Sequence, residues 1–210
     1  VNKGFLEIKK VWGELQDQVY TKRFLIAFFC YSAAAQTVFF LATLFATKEL
    51  GIEQSRLIMT ILLLQIVGIG GAYLFAWLSD IWGNREALAL TIVIWMIVCL
   101  IAYFTTQEWQ FYFVAALVGM VMGGVQALSR ATYSKMFPTD VHDTTSYFSF
   151  YDVLEKLAIV FGTFSFGFIE QLTGSMRNSV LFLILFFIIG LVLLLRVKVI
   201  PAEAQRISNP

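Results

Sequence analysis

Charge is scarce in this sequence. Asp, Glu, Lys and Arg make up 14% of the residues and the net charge is +1. With no basic surface on offer, a nucleic-acid partner is not expected. Histidine is scarcer still, since His142 is the single one, in a polar loop with Asp140 and Asp143. We read it as solvated, so no metal site is expected. There is no H-E-x-x-H run, and no Ser–His pair can form inside the apolar segments, which argues against an intramembrane enzyme. No catalytic residue and no cofactor is assigned. The only two cysteines, Cys30 and Cys99, both fall within apolar runs, where each reads as a small packing hydrophobe rather than half of a disulfide.

What fills the space is hydrocarbon. Hydrophobic residues make up 59% of the chain and the mean hydropathy is +0.78, against an apolar share of roughly 45–50% in soluble domains. The chain therefore reads as an integral membrane protein. Six apolar runs follow one another, at 24–47, 57–78, 87–104, 111–128, 147–169 and 180–195. Most are near the ~20 residues a helix needs to span ~30 Å of lipid. They are too long and too uniformly apolar for membrane strands. The expected fold class is all-α integral membrane, with six transmembrane helices.

Ahead of them, Phe5, Ile8, Val11, Trp12 and Leu15 recur at helical spacing opposite Glu7, Lys9, Lys10 and Glu14. This predicts an amphipathic helix over 1–22, on the membrane surface or as a solvated linker. The bundle is expected over 23–198 and a tail over 199–210. Val1 to Arg23 lacks the pattern of a cleavable signal, and a chain opening on Val is expected to be part of something longer. Counting Lys and Arg by side, with the N-terminus inside, places eleven inside and three outside, Lys156 being left within a span. Both termini are expected to be cytoplasmic.

Polar residues are not spread evenly over the six spans. Gly119, Gly123, Gln126 and Arg130 share one face of span 4, with Gly124 beside them. The Gly119–Gly123 pair reads as a close helix contact. Span 5 carries Asp152, Glu155 and Lys156; span 1 has Gln36, and span 2 has Gln65 with three glycines. Spans 3 and 6 carry almost nothing polar, so spans 1, 2, 4 and 5 are expected to border a cavity. Asp152 and Lys156 stand i, i+4 with the acid first, the favourable order for a helical pair. Lys156 lies about 14 Å along its helix, near the midplane, where a charge must be paired and turned to protein or water. Gln36, Gln65, Gln126, Asp152, Glu155 and Lys156 are the substrate-binding candidates. A structural pair of Asp152 with Lys156, and interhelical hydrogen bonds for the glutamines, remain open as alternatives. Glu155 is also a candidate to carry a proton. Asp80, Gly83 and Arg85, in the loop between spans 2 and 3, read as a clamp that tightens in one state and releases in another, or as an ordinary charged helix end. Arg130 is grouped with them for gating, although a residue snorkelling at the end of span 4 is the simpler reading.

The loop A-W-L-S-D-I-W-G-N-R, Ala76 to Arg85, resembles the G-x-x-x-D-[RK]-x-G-[RK]-[RK] loop of the major facilitator superfamily, with Ala76 and Ile81 as departures. G-G-V-Q-A-L-S-R (123–130), M-F-P (136–138), F-S-F-Y-D-V-L-E-K (148–156) and Q-L-T-G-S-M-R (171–177) are similar to the second half of vacuole-effluxer-like transporters. The resemblance covers nearly the whole chain. It implies a twelve-helix parent, of which these spans are helices seven to twelve, and hence one half of a major-facilitator fold. It also implies a missing N-terminal six-helix half as partner, a lipid bilayer around both, a small polar solute that includes amino acids as candidates, and a bacterial inner membrane as location. An acid that many relatives carry in the seventh helix is absent from Tyr31–Thr37, and Gly162-Thr163 replaces a Gly-Pro. The function expected is half of a secondary transporter working by alternating access. The rival readings are a self-contained six-helix homodimeric channel or carrier and, further off, an intramembrane enzyme.

Overall fold

The structure is a computed structural model that describes residues 11–13, 15, 18–137 and 144–200. Among these, six long helices follow in order with no strand: α1 (Val19–Leu50), α2 (Gln54–Trp82), α3 (Asn84–Phe104), α4 (Glu108–Ser134), α5 (Thr144–Thr173) and α6 (Met176–Leu195). Lipid offers backbone N–H and C=O groups no partners, so an apolar run must satisfy them within itself, and a helix does so. Each helix contains one of the six apolar runs and most extend well past it at both ends. All but α5 are long and apolar enough to cross a membrane. Asp152, Glu155, Lys156 and Glu170 dilute the hydropathy of α5.

The turns are short. Gly83 alone separates α2 from α3, at φ +94°, and its N–H bonds the Ser79 carbonyl. A side chain there would be strained, because an L-residue is disfavoured at that φ. Short turns make successive helices antiparallel and give the bundle two ends: a near end, where α1 begins, and a far end, where it stops. The expected boundary at residue 22 falls inside α1. Residues 1–10, 14, 16 and 17, more than half of the expected linker, lie outside the described residues, as does the tail from 201. Val11 and Leu15 are buried in the main core cluster, and Trp12 is exposed with its ring 6.0 Å from that of Phe150. This part of the amphipathic segment packs on the bundle.

α1 is the most enclosed helix, with residues 31–37 all buried. It packs against α5 and α6, while α2 lies along α4, and α3 closes onto α4 and α6. Small residues set these distances. A methyl group on Gly71 would overlap the Met120 carbonyl, and one on Gly123 would overlap that of Gly68. The α2 and α4 backbones are therefore in direct contact, and the Gly119–Gly123 face is turned toward α2. Gly162 does the same for α5 against Ala33 and Thr37 of α1. The far end is tied by ion pairs: Arg56–Glu108 at 2.8 Å joins α2 to α4, Arg177–Glu49 at 3.1 Å joins α6 to α1, and Lys48–Glu170 at 3.5 Å joins α1 to α5. The three basic residues that charge counting assigns to the outer side are thus each matched by an acid.

Backbone contact at Gly123 has a measurable consequence. Gly123→Ala should destabilise the bundle by about 1–3 kcal/mol, as overpacking does. Gly70→Ala, where nothing lies within 4 Å, should be close to neutral. Equilibrium unfolding in mixed micelles would compare the two, and equal effects would rule out the close crossing.

Candidate functional site

The polar side chains of α1, α4 and α5 converge on one cluster. Gln36 of α1 donates from Nε2 to Oε1 of Glu155 at 2.9 Å. The other oxygen, Oε2, lies 3.7 Å from the Lys156 ammonium. The two partners differ sharply in exposure: the Glu155 side chain is 10% exposed and that of Lys156 72%. Glu155 thus has one oxygen fixed in the interior and the other turned toward an open face. A turn nearer the start of α5, Arg130 of α4 donates to Asp152 Oδ1 at 2.8 Å and lies over the Tyr151 ring, 5.2 Å from its centre. Beneath this pair, Tyr31 and Ser129 share a 2.7 Å hydrogen bond, and Ser129 also bonds Tyr151.

The backbones of α4 and α5 hardly approach each other. Long side chains bridge them instead: Arg130 to Asp152, Tyr133 stacked on Tyr151 at 5.4 Å, and Phe137 against Tyr147 and Phe148. Among the other recesses, two lie near residues singled out in the sequence. An apolar one of ≈ 40 Å³, lined by Val38, Leu41, Phe45, Val118 and Phe166, offers a polar solute nothing to bond. A polar cleft of ≈ 450 Å³ opens at the near end around Ser79, Asp80, Asn84, Arg85, Glu86 and Lys135. Among the described residues no group of His, Cys, Asp and Glu is placed to hold a metal ion.

Over residues 1–206 the chain matches the family described as vacuole effluxer Atg22 like. It belongs to that family. A relative in Bacillus subtilis, an uncharacterized MFS-type transporter called YxiO, is 33% identical over 171 residues, covering 81% of this chain and 39% of that protein. Autophagy-related protein 22-1 of Aspergillus niger is 26% identical over 200 residues, with 88% and 32% covered. Autophagy-related protein 22 of Saccharomyces cerevisiae is 27% identical over 200 residues, with 89% and 37% covered. The chain spans less than two fifths of the length of each of these relatives.

In this member of the vacuole-effluxer family, the residues singled out by sequence are distributed as follows. Gln36 is buried and committed to Glu155, whereas Gln65 and Gln126 are exposed. The expected pair of Asp152 with Lys156 does not form. Arg130 reaches across from α4, braced on Tyr151, and takes Asp152, while Lys156 turns to its chain neighbour Glu155, whose carboxylate Gln36 holds in place. Nor is Arg130 a snorkelling end residue, since it carries an interhelical bond. Gly119 and Gly123 abut Leu64 and Gly68, and Gly124 abuts the Phe75 ring.

At the near end, the clamp takes a different form from the one read in the loop. Asp80 is exposed and makes no bond to a neighbouring helix N-terminus among the described residues. Arg85 pairs with Glu86 at 2.6 Å and reaches the Val197 carbonyl at 3.2 Å. Lys135 donates to Asn84 Oδ1 at 2.7 Å, joining α4 to the start of α3. His142, with Asp140 and Asp143, lies outside the described residues. Sequence reasoning missed the hydroxyl chain through Tyr31, Ser129 and Tyr151. Its only signal was that Tyr31 and Tyr151 are hydroxyl residues inside apolar runs and that Ser129 and Tyr151 are adjacent to Arg130 and Asp152.

Double-mutant cycles separate the observed pair from the expected one. Arg130 and Asp152, both about half exposed, should couple by roughly 0.2–1 kcal/mol. Asp152 and Lys156 should be additive within about 0.5 kcal/mol. Unfolding of the three single and two double variants in mixed micelles reads both quantities, and a larger Asp152–Lys156 coupling would contradict this arrangement.

Proposed function

We propose that the chain is the C-terminal half of a secondary transporter that moves a small polar solute by alternating access, amino acids being the first candidates. The observation that carries this is the Lys156 ammonium, 72% exposed in the middle of a membrane helix. Facing lipid there, it would cost roughly 2.5–3.5 kcal/mol. A wet cavity between this bundle and a second one removes that cost, and the partial coverage of each relative leaves room for such a bundle. Gln65, Gln126 and Lys156 are exposed polar groups on α2, α4 and α5, three of the four helices expected to border the cavity; the fourth, α1, is buried over residues 31–37. The half-exposed Arg130–Asp152 pair stands at the end of the same cluster nearest the expected cytoplasm. Transport is physical movement of the solute, with no bond made or broken, and we assign the chain no enzymatic role.

The full-length protein, reconstituted in proteoliposomes with a panel of labelled amino acids, peptides and sugars, is expected to take up at least one of them. The 210-residue chain alone should not. In the full-length protein Lys156→Ala should lower uptake about tenfold or more, the scale of losing one charge-assisted contact. Thermal stability should change little, because the removed side chain is hydrated and Glu155, still bonded to Gln36, can be neutralised by a proton from the cavity. Solute movement by the isolated chain would end the half-transporter reading. A Lys156→Ala variant with normal uptake would remove Lys156 from the site.

A further inference from the structure

Glu155 is the only carboxylate buried among the described residues, and the transport reading leaves its role unexplained. We propose that Glu155 is a proton-binding site whose occupancy Lys156 controls, so that an anionic group on the solute and a proton are bound together. The inference rests on the transporter reading of the same cluster. Its structural basis is the division of labour between the two carboxylate oxygens. Oε1 accepts from the Gln36 amide, a contact that survives whether Glu155 is a carboxylate or a carboxylic acid, because the acid keeps one acceptor oxygen. Oε2 faces Lys156 and is the oxygen that can carry a proton instead.

The remaining charges near the cluster are already matched. From α4, Arg130 is committed to Asp152 of α5, and Ser129 and Tyr133 contribute only hydroxyls. From α1, Tyr31 and Gln36 face the cluster, and both are neutral. α6 has a single ionisable side chain, Arg177, which pairs with Glu49 at the far end. On α5 itself Tyr151 lies between Tyr31, Glu155 and Arg130. Among the described residues Lys156 is therefore the one cation left to balance Glu155.

That balance is loose. At 3.7 Å, and with most of its side chain exposed, the ammonium has little protein holding it in place. A carboxylate or other anionic group arriving on the open face draws Lys156 away. The buried Glu155 is then an uncompensated charge, which a low-dielectric interior strongly disfavours. A proton from the aqueous cavity binds Oε2 and restores neutrality: the solute anion is balanced by Lys156, and Glu155 is neutral. Release of the solute frees Lys156 to return, and the proton leaves from the same oxygen. No bond other than O–H forms or breaks.

The test uses the full-length protein. Infrared difference spectroscopy at neutral pH follows the protonated-carboxyl band, with Lys156→Gln imitating a lysine engaged elsewhere. A stronger protonated-carboxyl band than that of the wild type is expected. The added band should vanish in the Lys156→Gln, Glu155→Gln double variant. In proteoliposomes, uptake of labelled alanine, lactate or glutamate by the wild type should increase under an imposed pH gradient, and Glu155→Gln should abolish that increase. Glu155→Asp, which retains an ionisable oxygen, controls for folding and should keep part of it. Identical carboxyl bands in Lys156→Gln with and without Glu155→Gln overturn the proposal, as does a gradient response that Glu155→Gln leaves intact. If the wild type moves no solute of the wider panel, the transporter reading fails, and the infrared result still decides whether Glu155 binds a proton under the control of Lys156.

Discussion

Hydrocarbon forms no hydrogen bonds, and the burial of Glu155 on Gln36 is this bundle's answer to that constraint at its most demanding point. One carboxylate in the middle of α5 needs a donor from another helix, and the amide of Gln36 supplies it. For the amide to reach, α1 must run close beside α5, which Gly162 permits by leaving its backbone open to Ala33 and Thr37. The enclosure of α1 by α5 and α6 follows. The polar contact and the glycine contact are thus two sides of the same helix crossing.

The bundle has a stiff part and a looser part. α2 and α4 meet backbone to backbone along their glycines and are pinned at the far end by Arg56 and Glu108. α5 is joined to α4 only through long side chains, by Arg130, Asp152 and a group of aromatic rings. Such a joint can change length by rotamer movement without opening a close-packed backbone contact. The α4–α5 seam is lined with the charged and hydroxyl groups.

Ion pairs at the two ends have different characters. At the far end, three pairs link different helices: α1 with α5, α1 with α6, and α2 with α4. At the near end Arg85 bonds its own chain neighbour and a carbonyl, Lys135 bonds an amide, and Asp80 is left exposed.

Six apolar runs and the scarcity of charge were enough to establish the membrane class and the number of helices, because a hydrocarbon solvent imposes length and composition locally, residue by residue. The motifs of α4 and α5 were enough for the family, and helical spacing alone put Gly119 and Gly123 on one face. Which charges meet was beyond that kind of reasoning. The i, i+4 spacing of Asp152 and Lys156 pointed to a pair, yet Arg130, 22 residues away in sequence, takes Asp152. Gln36, separated from Glu155 by 119 residues, decides where that carboxylate points. Spacing along one helix describes only the neighbours on that helix. In the bundle, a guanidinium braced on Tyr151 takes Asp152 and an amide carried on α1 takes Glu155, and whether the α1 amide reaches depends on how closely Gly162 lets the helices approach.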